Sequence, residues 1–184
     1  MTKRKEVRLK SYDYSQEGFY FVTVCTENRK SILGDVVAVN ESVGGDLQIA
    51  PQTTGLGDPW GYSVGMPYTK LSKSGETVLK NINYIKNTMQ NFDVDCFCIM
   101  PNHIHIIIEN KGGGSICKST PTTEPKNLAR LIAVFKSITS KQAGVNLWQR
   151  NYYEHVIRDD KDLLNKRRYV LENPLRWTLD EYYS

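Results

Sequence analysis

An α+β fold is what this sequence predicts: a ferredoxin-like or RRM-like sandwich, with an antiparallel central sheet and helices packed on one face. Two kinds of segment point to it, short β-branched and aromatic runs and longer stretches with apolar residues at three- and four-residue spacing. Their order is strand, weaker strand, helix, strand, strand, helix, strand, helix, and a single antiparallel-rich sheet satisfies it. The 184 residues suit one domain spanning 1–184.

Gly18 to Thr26 (GFYFVTVCT) reads as the first strand, and Ile32 to Val39 as the weaker one. Residues 41 to 68 are dense in Gly, Pro, Ser and Thr without helical period, so a loop excursion from the core is expected over 35–68. Ser72-Lys73-Ser74-Gly75-Glu76 opens a helix whose apolar positions are Val78, Leu79, Ile82, Ile85 and Met89. Asp93 to Met100 and Ile104 to Glu109 form two strands joined at Pro101-Asn102, a hairpin. A second excursion is expected at 111–124. Leu128, Leu131, Ile132, Phe135 and Ile138 then describe an amphipathic helix. Leu147 to Ile157 alternates like a strand. Asp159-Asp160 can cap a last helix, which runs to about Glu172 because Pro174 disfavours helical geometry at Asn173.

Composition narrows the function. With 40% hydrophobic and 24% charged residues the chain reads as a soluble globular protein. No apolar run approaches the ~20 residues of a membrane span, and the basic start Met1-Thr2-Lys3-Arg4-Lys5 lacks a secretory core. No membrane partner and a cytoplasmic location are the expectation. Net charge is +4, but ten basic and four acidic residues lie between Lys126 and Tyr169. Such a concentration suits a polyanion such as nucleic acid, although a solvated face would look the same. The four cysteines, Cys25, Cys96, Cys98 and Cys117, read as reduced thiols.

The densest chemical signal is Met100-Pro101-Asn102-His103-Ile104-His105-Ile106. Residues i and i+2 of a strand share a face, so His103 and His105 project together. Two imidazoles aimed at one spot make half of a metal site, and they spend two of the chain's three histidines. An ordinary surface pair and a zinc site completed by Cys96 and Cys98 both remain open here, though Cys-x-Cys is not the usual zinc spacing. On the last helix Tyr169 and Asn173 are four apart and share a face. A tyrosine can be a covalent nucleophile and an amide oxygen can complete a metal shell, yet most helical tyrosines simply pack. Of His155 and the aromatics Trp148, Tyr152, Tyr153 and Trp177, the histidine suits a structural role. The aromatics could stack on unpaired bases or fill the core.

An ordered series of motifs goes further. It begins with the basic arm, Tyr12-Asp13-Tyr14-Ser15, Phe19-Tyr20-Phe21-Val22-Thr23-Val24 and Cys25-Thr26-Glu27-Asn28-Arg29. It continues through Met100-Pro101-Asn102-His103-Ile104-His105 and Phe135-Lys136-Ser137 to Leu147-Trp148-Gln149-Arg150-Asn151-Tyr152-Tyr153-Glu154-His155-Val156-Ile157-Arg158. It closes with Arg168-Tyr169-Val170-Leu171-Glu172-Asn173-Pro174-Leu175-Arg176-Trp177. This series closely resembles the REP-associated tyrosine transposases, relatives of single-tyrosine insertion-sequence transposases in the HUH endonuclease superfamily. Residues 35–68 and 111–124 do not follow the family pattern.

The resemblance implies a metal-dependent enzyme that nicks and rejoins single-stranded, hairpin-forming DNA through a 5′-phosphotyrosine, in DNA transposition or the processing of repeated hairpins. It implies Tyr169 as nucleophile and His103, His105 and Asn173 as ligands of Mg²⁺ or Mn²⁺. The cations expected to meet DNA are Lys126, Arg130, Lys136, Arg150, Arg158, Arg167 and Arg168. A homodimer is compatible with it. The alternative is a non-catalytic RRM-like module that grips nucleic acid without cutting it.

Overall fold

The computed structural model describes residues 12–37, 52–53, 67–112 and 127–177. Lys126, Cys117, the basic arm and most of both expected excursions lie outside these residues. Seven strands and three helices are described: β1 Gly18–Cys25, β2 Gly34–Val37, β3 Gln52–Thr53, β4 Tyr68–Leu71, α1 Lys73–Thr88, β5 Phe92–Met100, β6 His103–Asn110, α2 Leu128–Ala143, β7 Tyr153–Ile157 and α3 Asp160–Glu172. The main sheet has the order β3-β5-β6-β1-β7, every pairing antiparallel. The expected antiparallel α+β fold is present.

Local chemistry sets the element ends. Ser72, Asn127 and Asp159 cap the three helices by accepting the backbone N–H three residues on, at 3.2, 2.9 and 2.8 Å. Such side chains satisfy donors that a helix start leaves bare. Gly144, at φ 71°, ends α2 in the left-handed conformation that glycine adopts without steric cost.

Two of the expected boundaries change. The stretch 41–68 contributes β3 to the edge of the main sheet and the first residue of β4, which pairs with β2 in a separate two-stranded sheet. Only Tyr153–Ile157 of the expected strand 147–157 forms ladder; Trp148 makes a lone bridge to Thr26.

The larger correction concerns layers. The helices do not all pack on one face. Tyr20, Val22 and Val24 of β1 join Ile104, Ile106 and Ile108 of β6 in a core closed by Val78, Ile82 and Ile85 of α1 and Leu128, Leu131, Ile132 and Phe135 of α2. The alternate residues, Phe21 and Ile107, form a second cluster with Leu163 and Val170 of α3. The strands therefore bury side chains on both faces, and each face needs a cover.

A β-bulge adjusts β5 to this arrangement. Register shifts between Val94 and Cys96, so Val94 joins the α1/α2 core while Cys96, Cys98 and Met100 join the α3 cluster. The carboxylate of the bulged Asp95 receives Arg167 Nε at 2.8 Å and its Nη2 as well, which ties α3 to the sheet. Among the described residues no helix is long and apolar enough to cross a membrane.

Candidate metal centre and nucleophile

The two-residue turn Pro101–Asn102 starts β6 with His103, and strand alternation puts His103 and His105 on the α3 face. Pro101 O accepts from Leu33 N at 2.9 Å, and Asn102 O accepts from Thr26 N at 2.9 Å and Thr26 Oγ1 at 3.0 Å. The turn that launches the histidines is thus fastened to the segment following β1.

Both imidazoles are buried, at 0% and 1% exposure, with their Nε2 atoms 3.0 Å apart. Burial and the nearby Arg29 guanidinium push His103 down to about 3. Burial, His103 and Lys166 hold His105 well below its ordinary value. Both are therefore neutral at pH 7, the form that donates a lone pair to a metal.

Their outer nitrogens are held too. His103 Nδ1 lies 2.8 Å from Asn102 Oδ1, an acceptor, so Nδ1 carries the proton and the Nε2 lone pair faces His105. His105 Nδ1 lies 2.8 Å from Thr23 Oγ1. That hydroxyl can accept or donate, so His105 can adopt either tautomer. Without a cation, His105 Nε2–H must donate to His103. Neutral imidazole nitrogens are ordinary ligands of divalent ions, and His103 and His105 would offer two of them side by side, with the buried Asn173 amide on the neighbouring helix face. The donor set fits a divalent ion.

Tyr169, on α3, sets its ring 5.0 Å from His105 and 5.8 Å from Phe21, and remains 38% exposed. The turn continues past α3 through Arg176 N bonds to Glu172 O and Asn173 O, so Tyr169, Asn173 and Trp177 follow one helical face. Trp177 reaches His103, ring centroids 5.9 Å apart, and Asn173 is buried between these two positions at 2% exposure.

No zinc set forms: among the described residues no group of three or more His, Cys, Asp or Glu could hold a metal. Cys98 Sγ instead meets Met100 Sδ at 3.4 Å. His155, with Nε2 2.7 Å from Asp162 Oδ2, links β7 to the first turn of α3 in a structural role.

Among the described residues the expected cations do not all lie on the face of the histidines. Arg130 and Lys136 belong to α2, across the sheet from the histidines. Lys136 Nζ donates to Arg150 O at 2.9 Å and to Gln149 O, and Arg167 is paired with Asp95. Arg150, Arg158 and Arg168 are exposed. Residues the sequence reading passed over stand nearer: Lys166, whose Nζ lies 5.1 Å from the Phe21 ring, and Arg29, in a turn with φ 54°. Lys166 precedes Tyr169 by three and shares its face, a spacing visible in the sequence; Arg29 has no such signal.

A buried pair of neutral imidazoles beside an exposed tyrosine, on an antiparallel sheet with helices on both faces, makes a candidate site for a metal ion and a nucleophile. Residues 68–173 match the family model described as transposase IS200 like, and the chain belongs to that family. A protein of Haemophilus influenzae described only as uncharacterized is 30% identical over 202 aligned positions, covering 98% of this chain and 93% of the relative. A putative REP-associated tyrosine transposase of the same organism is 34% identical over 89 residues, 46% of this chain and 51% of that protein. Among solved structures, a REP-associated tyrosine transposase bound to a REP hairpin superposes with TM-score 0.55 at 16% identity, over 95% of this chain and 77% of that one. That likeness is one of fold.

Proposed function

We propose that this chain cuts and rejoins single-stranded DNA flanking a hairpin, with Tyr169 as the nucleophile. The observation that carries the reading is Tyr169, solvent-accessible, with its ring 5.0 Å from His105, one of the buried neutral pair His103 and His105 of the same chain. Family membership and the hairpin bound by the structural relative support the substrate class.

In the forward step the phenolic oxygen of Tyr169 bonds to phosphorus while the bond from phosphorus to the 3′ oxygen breaks. The phenol proton passes to solvent, and the departing 3′ oxygen takes up a proton. The 5′ phosphate stays on Tyr169 as a phosphodiester, so attack by a 3′-OH reverses the step and reseals a strand without ATP. His103 and His105, with Asn173, would hold Mg²⁺ or Mn²⁺, which when bound supplies Lewis-acid stabilisation of charge on the scissile phosphate. Asn102 and Thr23 orient the two imidazoles, and burial keeps them neutral. Lys166 and Arg29 add positive charge at opposite ends of the pair.

The test is incubation with hairpin oligonucleotides carrying a randomised single-stranded flank, with Mg²⁺ or Mn²⁺. A denaturation-resistant protein–DNA adduct is expected, mapping by peptide mass to Tyr169 and absent in Tyr169→Phe, which still binds the DNA. Binding with no adduct in wild type would make the chain a non-catalytic binding module.

A further inference from the structure

Phe21 is the centre of a cluster of rings that reaches from the candidate site toward the edge of the sheet. Its ring stacks on His105 (5.3 Å, 24°) and meets Tyr169 edge-on from one side. Tyr153 meets it from another side at 6.4 Å and 68°, and Lys166 Nζ stands 5.1 Å above the ring. Phe21 is buried beneath these neighbours, whereas Tyr153 is 46% exposed.

Topology explains the opening. Tyr153 starts β7, the edge strand of the main sheet, and pairs with Thr23, whose hydroxyl holds His105. Beyond β7 the sheet has no further strand among the described residues. The other aromatics of the same sequence run are occupied elsewhere. Trp148 is buried against Phe135 and donates Nε1–H to Thr139 Oγ1 at 2.8 Å, and Tyr152 packs against the α1/α2 core. Only Tyr153 of that run is brought to the catalytic face.

We propose that Tyr153, Phe21 and Lys166 form a subsite for the nucleotide next to the cut, Tyr153 stacking on an unpaired base while Lys166 engages a neighbouring phosphate. This rests on the DNA-cutting reading and adds to it a place where the substrate must be single-stranded. Stacking requires an exposed π-face, and the cation beside it supplies the charge that a backbone needs. Tyr153 and Tyr169 share Phe21 as a neighbour, so a strand whose phosphate meets Tyr169 passes its adjoining bases over this platform. A paired base has its faces covered, which makes the subsite a filter for unpaired nucleotides.

The probe is oligothymidine substituted with iododeoxyuridine, irradiated with metal-free Tyr169→Phe protein so that cleavage does not intervene. A photo-crosslink mapping to Tyr153 is expected. Tyr153→Ala should weaken oligothymidine binding by about tenfold, whereas Tyr153→Phe keeps it, since stacking uses the ring and not the hydroxyl. Lys166→Ala should lower the salt dependence of binding by about one counterion. Crosslinks confined to other residues, or Tyr153→Ala binding as tightly as wild type, overturn the subsite. A Tyr169 adduct with no Tyr153 crosslink sinks the subsite and leaves the nuclease reading standing. A Tyr153 crosslink with no adduct in wild type does the reverse.

Discussion

The two faces of one sheet have been put to different uses. Toward α1 and α2, β1 and β6 present Tyr20, Val22, Val24, Ile104, Ile106 and Ile108, apolar apart from one phenol that donates to Gln16 O at 2.8 Å. Toward α3 the same strands present Phe21, Thr23, His103 and His105, each polar group held by another. A polar group buried without a partner costs about 1–3 kcal/mol, so the second face is tolerable only because its hydrogen bonds close on themselves. One face is an apolar core and the other carries the polar groups of the candidate site, and a two-residue period in the strands keeps them apart.

The strongest break in that contrast is His103→Ala or His105→Ala. Loss of charge stabilisation worth several kcal/mol should slow adduct formation by about a thousandfold, while affinity for single-stranded DNA holds. Near-wild-type single-turnover rates in either variant would remove the pair from the mechanism.

Next is the opposite face. Ile82→Ala should cost about 3 kcal/mol by opening a cavity in the α1/α2 core, seen as a lower urea midpoint. Adduct formation per folded molecule should not change, and a parallel loss of rate would show that the faces are coupled.

Acid should attack the histidine face. His103 is held at about 3 when folded and titrates near its ordinary 6.5 when unfolded. As pH falls the unfolded chain takes up its proton first. The stability carried by neutral His103 is therefore whole above about 6.5 and is lost progressively down to about 3. Denaturant titrations of metal-free protein should show this slope, and His103→Gln should flatten it. Equal slopes in the two proteins would contradict the argument.

Thr23→Val keeps the shape of the residue but removes the partner of His105 Nδ1. The metal concentration supporting half-maximal cleavage should rise about 10- to 100-fold. An unchanged metal dependence would mean that the hydroxyl does not orient the ring.

The smallest effect is expected from Arg167→Ala. Its ion pair with Asp95 is part-exposed, with side chains at 28% and 12%, so about 1 kcal/mol of stability is at stake after solvent screening. A fall in adduct rate beyond that small loss would show that the pair also positions Tyr169 through α3.

The grouping of residues in the candidate site was legible before any tertiary contact was known. His103 and His105 declare a shared face by spacing alone, and Tyr169 and Asn173 do the same on a helix. The caps at Ser72, Asn127 and Asp159 mark helix starts because their side chains answer a local need. What stayed hidden depended on distance in the fold. Lys136 looked like a phosphate contact but ends on carbonyls of Gln149 and Arg150. Arg29 reaches the neighbourhood of His103 only because its turn is fastened to the hairpin at Asn102.

By itself, then, the sequence determined which residues share a face, where helices begin and which family the motifs follow, because these rest on backbone periodicity and local hydrogen bonding. The tertiary structure alone decided which side of the sheet each helix covers. An amphipathic helix carries the order to bury one stripe, yet nothing in its period names the surface that will bury it. The strands bury side chains on two such surfaces. Burial of Leu163 and Val170 against Phe21 and Ile107 sets α3, and with it Tyr169, on the side where the histidines point.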